Sequence, residues 1–210
     1  MTVAVVTHTH EHWQRDMTRC VNSVDAALPD GCEHIVIGLD TDYDGFIEAR
    51  YAALKLADII IFVDDDDYIS PESIRLCLAA LAATDAGLAY TRESLVFSDG
   101  NQLNSAVCTH YEAISRSPSA IHHMAAIQSS AVTERSIILA REYGCGIEWI
   151  MKAEAALTQG AIHIPHTGYY YVQHQGQVSH AVSERFAKAI KPISDELRSW
   201  RGRTGSIPVL

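Results

Sequence analysis

Three short apolar runs, each rich in β-branched residues and each ending in a polar cluster, limit the possible folds of this chain most narrowly. Val3-Ala4-Val5-Val6 leads into Thr7-His8-Thr9-His10, His34 to Leu39 into Asp40-Thr41-Asp42, and Ile59 to Val63 into Asp64-Asp65-Asp66-Asp67. Runs that are apolar at successive rather than alternate positions belong to strands buried on both faces. Helical signals separate them. Trp13, Met17, Cys20, Val21 and Val24 recur at three- and four-residue spacings, and Phe46 to Ala57 is alanine-rich. Ser70-Pro71-Glu72 reads as a helix start, with Ser70 as N-cap and Pro71 at the first helical position, leading into Ile74 to Ala83. Strand, helix, strand in this order predicts a central, mostly parallel sheet covered by helices on both faces.

The second half is less regular. Gly87 to Thr91 and Ser94 to Phe97 read as short strands, with Ser98 to Asn101 as a hairpin turn. Residues 104–125 show no period, 130–142 and 147–158 read as helices around Gly144-Cys145-Gly146, and Ala161 to Ile164 and Tyr169 to Val172 as strands. This half predicts a small antiparallel extension of the sheet. From Ser183 onward six Lys and Arg face three acids, which predicts a basic, amphipathic, helical tail over 183–210. The expected division is a domain over 1–182, with halves 1–100 and 101–182, followed by that tail.

Composition narrows the functional classes. With 48% apolar and 20% charged residues the chain is globular, and its net charge of −10 excludes bulk charge-driven binding to nucleic acid. The five cysteines are scattered, with no C-x-x-C pair, which points to a reducing compartment. No apolar run approaches membrane-spanning length and no leader is visible, so a cytoplasmic location is expected. The basic tail is the place where a membrane surface or a polyanion could touch.

In an open α/β sheet, ligands bind beyond the carboxyl ends of the strands, where all three polar clusters fall. The acidic quartet is the sharpest signal. Adjacent carboxylates repel unless a cation compensates, and hard oxygen ligands at a strand end suit Mg²⁺ or Mn²⁺ bridging to substrate phosphates. A solvated acidic loop is the plain alternative.

Phe62-Val63-Asp64-Asp65-Asp66-Asp67-Tyr68-Ile69-Ser70-Pro71 resembles the F-L-D-x-D-D-x-x-x-P segment of family 2 glycosyltransferases of the GT-A fold. Val3 to His10 is similar to that family's first strand, Ile35 to Gly45 to its second, and Ala49-Arg50 to its A-R-N, at an interval about two residues short. Ile127 to Ser130 resembles the segment before the acceptor helix, Glu148-Trp149 falls where the family has E-D, and Tyr169 to Ser179 resembles its closing Y-R-x-H-x-x-S-x-S. The resemblance covers residues 2–180. It implies a GT-A-like, Rossmann-like nucleotide-diphospho-sugar transferase fold and transfer of a sugar from a nucleotide-sugar donor, most commonly a UDP-sugar, to an acceptor hydroxyl with inversion. It also implies site roles. Thr7 and Thr9 would line the nucleoside pocket, Asp40 would bond the base, and Arg50 would approach base or phosphate. Asp64 and Asp65 would meet the nucleotide sugar, and Asp66, Asp64 and His174 would hold Mn²⁺ or Mg²⁺. Such a metal neutralises the leaving diphosphate, and a carboxylate must take the acceptor's proton.

For that base the pattern leaves two registers. Either Trp149 stands where the family has its Asp, or the register slips by one and Glu148 is the base; a working enzyme needs the second. No transmembrane segment accompanies the domain, so a soluble acceptor is expected, of unstated chemistry. Two other classes stay open: a metal-dependent hydrolase built on His8-x-His10, similar to amidohydrolase and PHP-type openings, and a nucleotide-binding module without catalysis. His122, His123, His163 and His166 read as loop or pocket residues, and Trp149 as core or pocket wall that could stack a sugar.

Overall fold

The computed structural model describes residues 1–10, 16–39, 43–106, 108–121, 123–174, 183–200 and 203–210. The three apolar runs form β1 (Val3–His10), β2 (Cys32–Leu39) and β3 (Ile59–Phe62), paired in parallel with β1 in the middle. Further along the chain come β4 (Tyr68–Ile69), β5 (Leu88–Val96), β6 (Gln102–Asn104), β7 (Ala125–Gln128) and β8 (Ala161–Val172). All join one sheet in the order β2-β1-β3-β7-β5-β8-β4, with β6 paired to β5. β7 is antiparallel to both neighbours, β8 is parallel to β5, and β4 and β6 run antiparallel at their pairings.

The side chains of β1 and β3 show why the runs are apolar throughout. Ala4, Val6, Ile60 and Phe62 enter one core, while Val3, Val5, Ile59, Ile61 and Val63 enter the other. Helices α1 (Thr18–Ala27) and α3 (Ser73–Ala82) pack in the second core. The first core is larger. It holds α2 (Tyr43–Ala52), α4 (Tyr111–Ile114), α5 (Glu134–Tyr143), α6 (Ile147–Gln159) and α7 (Ser183–Ser199).

Several local expectations change in three dimensions. β1 continues through Thr7 to His10, so these residues are strand and not loop. The two short strands expected after Gly87 are one, β5, and those after Gly160 are one, β8. Pro165 has no N–H to donate, and the β5–β8 register slips between Tyr90 and Arg92 beside it, so the strand passes the proline through a bulge. Ser70 does not cap α3. The N-cap position is Glu72, without a side-chain cap, and the Ser70 hydroxyl lies 2.7 Å from His166 Nε2.

The C-terminal helix buries Ala189, Ile193 and Leu197 in the first core, along with the following Trp200, whose ring stacks under the Arg135 guanidinium. On its outer face Lys188 pairs with Glu184, and Lys191 and Arg198 with Asp195, so the basic residues of the tail are partly neutralised within their own helix. Between α5 and α6, Gly144 and Gly146 both take positive φ (61° and 80°), the tight turn that puts Glu148 into the first turn of α6. Behind that turn Glu154 accepts hydrogen bonds from Thr133 N, Thr133 Oγ1 and Ser136 Oγ, joining α6 to α5. Among the described residues no helix is long and apolar enough to cross a membrane.

Candidate functional site

The four aspartates leaving β3 solve their mutual repulsion by each taking a different partner. Asp64 receives a hydrogen bond from Arg50 Nη2 and faces His123 Nε2 at 3.8 Å. Asp65 accepts the Thr9 hydroxyl at 2.7 Å. Asp66 Oδ2 lies 2.7 Å from His174 Nε2. Asp67, fully buried, accepts Tyr169 Oη–H at 2.8 Å and the Val172 N–H at 2.8 Å.

Asp67 is therefore the structural member of the quartet, tying the turn to β8. Burial first, and then the charges of Asp64 and Asp66, push its carboxyl well above the usual range, against the two hydrogen bonds it accepts. Raised in the folded state, this group favours folding more as pH falls. Asp67→Asn, which keeps the shape and cannot ionise, is expected to melt close to the wild type at pH 7. Asp67→Ala abandons two buried donors and is expected to cost about 2–4 kcal/mol. Thermal melts of both variants check this, and equal losses in the two would refute it.

Arg50 is the keystone of the open edge. It comes from α2, is 1% exposed, and its guanidinium carbon lies 4.6 Å from the Phe46 ring centroid and 4.5 Å from that of Phe62. One edge of it bonds Asp64; Nε lies 2.8 Å from Glu148 Oε1, an ion pair rather than an aligned hydrogen bond. Burial would lower its pKa, but Glu148 and Asp64 outweigh this and hold it above its usual value. For Asp64, burial raises the carboxyl, while Arg50 and His123 overcome that and leave it below its usual value. His123, stacked on Tyr169, closes the ring of contacts with Nδ1 3.5 Å from Glu148 Oε2. The first turn of a helix suits the Glu148 carboxylate, because unpaired N–H groups point toward it. Phe62, His123, Ala125, Ile127, Glu148 and Lys152 line a small cleft beside this cluster.

The site residues expected from sequence divide clearly. Asp64, Arg50 and Glu148 come together, Asp66 meets His174, and Asp65 meets Thr9. Asp64 is turned to Arg50, and among the described residues no group of three acids, histidines or cysteines is gathered for a metal. Asp40 lies outside the described residues. Thr7 does not line an open pocket: it is fully buried in strand β1, with its hydroxyl 3.0 Å from His34 Nε2. Arg50 does not reach outward to a base either, because the two phenylalanine rings and two carboxylates enclose it. Trp149 points into the core, its indole N–H bonding the Ile114 carbonyl at 2.7 Å, so it is no sugar platform. His8 is shut between Phe46 and Phe62, and burial and then Arg50 push its pKa down to about 3. Sequence reasoning gave no role to Tyr169 or Lys152. The four-residue spacing from Glu148 to Lys152, one helical turn, was the available signal for the lysine.

A mostly parallel sheet flanked by helices, with an acidic turn at the end of its third strand, is the GT-A-like fold. Among solved structures the chain is similar to S. aureus TarS residues 1–349 in complex with UDP-GlcNAc, with TM-score 0.63 and 17% identity over 93% of this chain and 66% of that one. The complex of the same TarS fragment with UDP gives TM-score 0.59 at 17% identity, covering 93% of this chain and 65% of that one. Against a longer TarS structure the TM-score is 0.60 at 16% identity, and this chain, 93% covered, spans 39% of that one. The chain thus spans just under two thirds of the TarS fragment. The sequence matches no protein-family profile, and no curated protein is similar to it in sequence.

Proposed function

We propose that this chain transfers a sugar from a nucleoside diphosphate donor, with UDP as the nucleotide, to an acceptor hydroxyl, assisted by Mn²⁺ or Mg²⁺ and with inversion. One observation carries the reading: Arg50 bridges the acidic turn after β3 to Glu148 at the start of α6, bringing a phosphate-side carboxylate and a candidate base into one cluster. The likeness to a fold seen with UDP and UDP-GlcNAc bound supports it.

Asp66 and His174, whose Oδ2 and Nε2 lie 2.7 Å apart, would hold a divalent ion; carboxylate with imidazole is a donor set that suits Mn²⁺. Such an ion would supply positive charge against the leaving diphosphate. Glu148 accepts the proton of the acceptor hydroxyl as its oxygen bonds the anomeric carbon. The bond from that carbon to the diphosphate breaks, and the nucleoside diphosphate departs with the electron pair. Arg50 holds Glu148 and Asp64 in place and keeps their charges compatible.

Thermal melts with UDP, UDP-GlcNAc and GDP, with and without Mn²⁺, test the donor site on wild type and Asp66→Ala. At a hundredfold excess over its dissociation constant a ligand adds about 2.7 kcal/mol, which in a chain of this size raises the melting temperature by roughly 5–10 °C. The expected result is a rise with UDP and UDP-GlcNAc that requires the metal and is lost in Asp66→Ala. No rise with any nucleotide would remove the reading.

A further inference from the structure

His123 faces both acids of the cluster with one ring. Nδ1 lies 3.5 Å from Glu148 Oε2 and Nε2 lies 3.8 Å from Asp64 Oδ2, so each acid stands between this imidazole and the Arg50 guanidinium. The ring is held from two directions. Along the chain, Met124 is fully buried, its carbonyl accepts the Thr91 N–H at 3.1 Å, and Ala125 begins β7. Across the sheet, the imidazole stacks on two rings of β8, Tyr169 at 5.1 Å between centroids and Tyr171 at 6.3 Å. Tyr169 is itself fixed at its hydroxyl, which donates to Asp67 and accepts the Asp64 N–H at 3.1 Å. The platform under His123 is thus tied to the acidic turn, and from it the ring points to Glu148.

A base at the end of a glutamate side chain works only if its carboxylate plane is fixed. Arg50 Nε faces Oε1 at 2.8 Å, which holds one oxygen and leaves the other to turn about it. A carboxylate accepts and does not donate, so the nitrogen that faces Oε2 serves as an N–H donor. It takes one lone-pair site of that oxygen and leaves another for the proton of an acceptor hydroxyl. The separation is longer than a charge-assisted hydrogen bond, and catalytic contacts of this kind tighten as reactants bind. Water reaches both side chains, 20% exposed for His123 and 18% for Glu148, so an acceptor has a way to the oxygen. We infer that His123 is a positioning residue, aiming Glu148 Oε2 through Nδ1–H while its stack on Tyr169 keeps the base aligned with the acidic turn. The inference rests on the proposed assignment of Glu148 as the base and adds the group that orients it.

Transfer kinetics and UDP titrations of His123→Phe, His123→Asn and His123→Gln test it, with melts to establish that each variant is folded. Phenylalanine keeps the stack on the tyrosines and loses both nitrogens. The Asn amide nitrogen stands where Nδ1 does, and the Gln amide nitrogen where Nε2 does. In His123→Phe kcat is expected to fall about 10- to 100-fold, the size of one hydrogen bond to a charged group, while KM for the donor and the affinity for UDP change less than about twofold. His123→Asn is expected to recover most of that loss and His123→Gln little of it, a comparison that holds even if the phenyl ring unsettles the fold. Added to Glu148→Gln, His123→Phe is expected to slow transfer no further, since the group it aims is already gone. Unchanged kcat in His123→Phe, or better rescue by Gln than by Asn, would overturn the inference. So would further slowing in the double variant, or an equal loss of UDP affinity, which would place His123 on the donor. If Glu148→Gln transferred at the wild-type rate, or the wild type transferred to no acceptor, the base assignment would fall and this inference with it. An inactive Glu148→Gln beside a fully active His123→Phe would sink the inference alone.

Discussion

Glu148→Gln is expected to lose sugar transfer by about 10²- to 10⁴-fold, the usual contribution of a positioned general base, while binding UDP with unaltered affinity. The amide keeps the size of the side chain and its place in the first turn of α6 but cannot take a proton. Arg50 retains Asp64 as its bonded partner, so the donor side of the cluster survives the change. Initial-rate transfer assays with a panel of hydroxyl acceptors, run beside UDP titrations, give both readouts. Retained transfer would exclude Glu148 as the base. Loss of UDP binding together with transfer would assign Glu148 to the donor site instead. A wild type that binds UDP but transfers to none of these acceptors would favour the binding module without catalysis.

Arg50→Met is expected to be the most destabilising single change at the site. Removing one member of a buried ion-pair network leaves the others uncompensated, typically a loss of 3–5 kcal/mol. Water reaches the two carboxylates in part, with side chains 28% exposed for Asp64 and 18% for Glu148. The lower end of that range, about 3 kcal/mol, is therefore expected, a fall in melting temperature of roughly 6–12 °C. The loss also depends on pH. Asp64 is held below its usual pKa in the folded wild type, so its contribution is present above the carboxylate's unfolded pKa, about 4, and disappears as pH falls through the lower folded value. In the variant the uncompensated carboxylates are relieved by protonation. The gap between wild type and Arg50→Met should accordingly be wide at pH 7 and narrow below about pH 4. Melts across this range decide it; an equal gap at every pH would mean that Arg50 acts through packing on Phe46 and Phe62 and not through charge.

Much of the framework was legible along the chain. The unbroken apolar runs at Val3, Ile35 and Ile59 announce strands, and the sheet places them side by side and parallel. β1 and β3 are covered on both faces as the runs imply, whereas β2 is the edge of the sheet and leaves Val36 exposed, because a neighbour on only one side cannot cover it. β5 and β8 were harder to read, because Thr91, Glu93 and Ser94 are polar yet buried within a strand, and because Pro165 interrupts a strand that the bulge carries past it. Their burial depends on neighbours far along the chain. Ser70 looked like a helix cap because cap patterns are local, whereas its real partner, His166, arrives on β8.

The acidic quartet shows the same division at the site. That four carboxylates leave the third strand at the edge where α/β proteins bind ligands follows from residue order, since strand ends and turn residues are set by chain neighbours. Which aspartate serves structure and which faces a ligand does not follow from it. Asp64 to Asp67 are chemically identical, and their roles separate through Thr9, Arg50, His123, Tyr169 and His174, which come from β1, α2, the loop before β7, β8 and the segment that follows β8. The same holds for Glu148 and Trp149: one helix turns the first to the cluster and the second to the core. Periodicity records a residue's own neighbourhood, within a turn or two of chain. The field, burial and hydrogen-bond partners that fix a carboxylate's chemistry act through space, and exist only once the sheet has brought distant segments together.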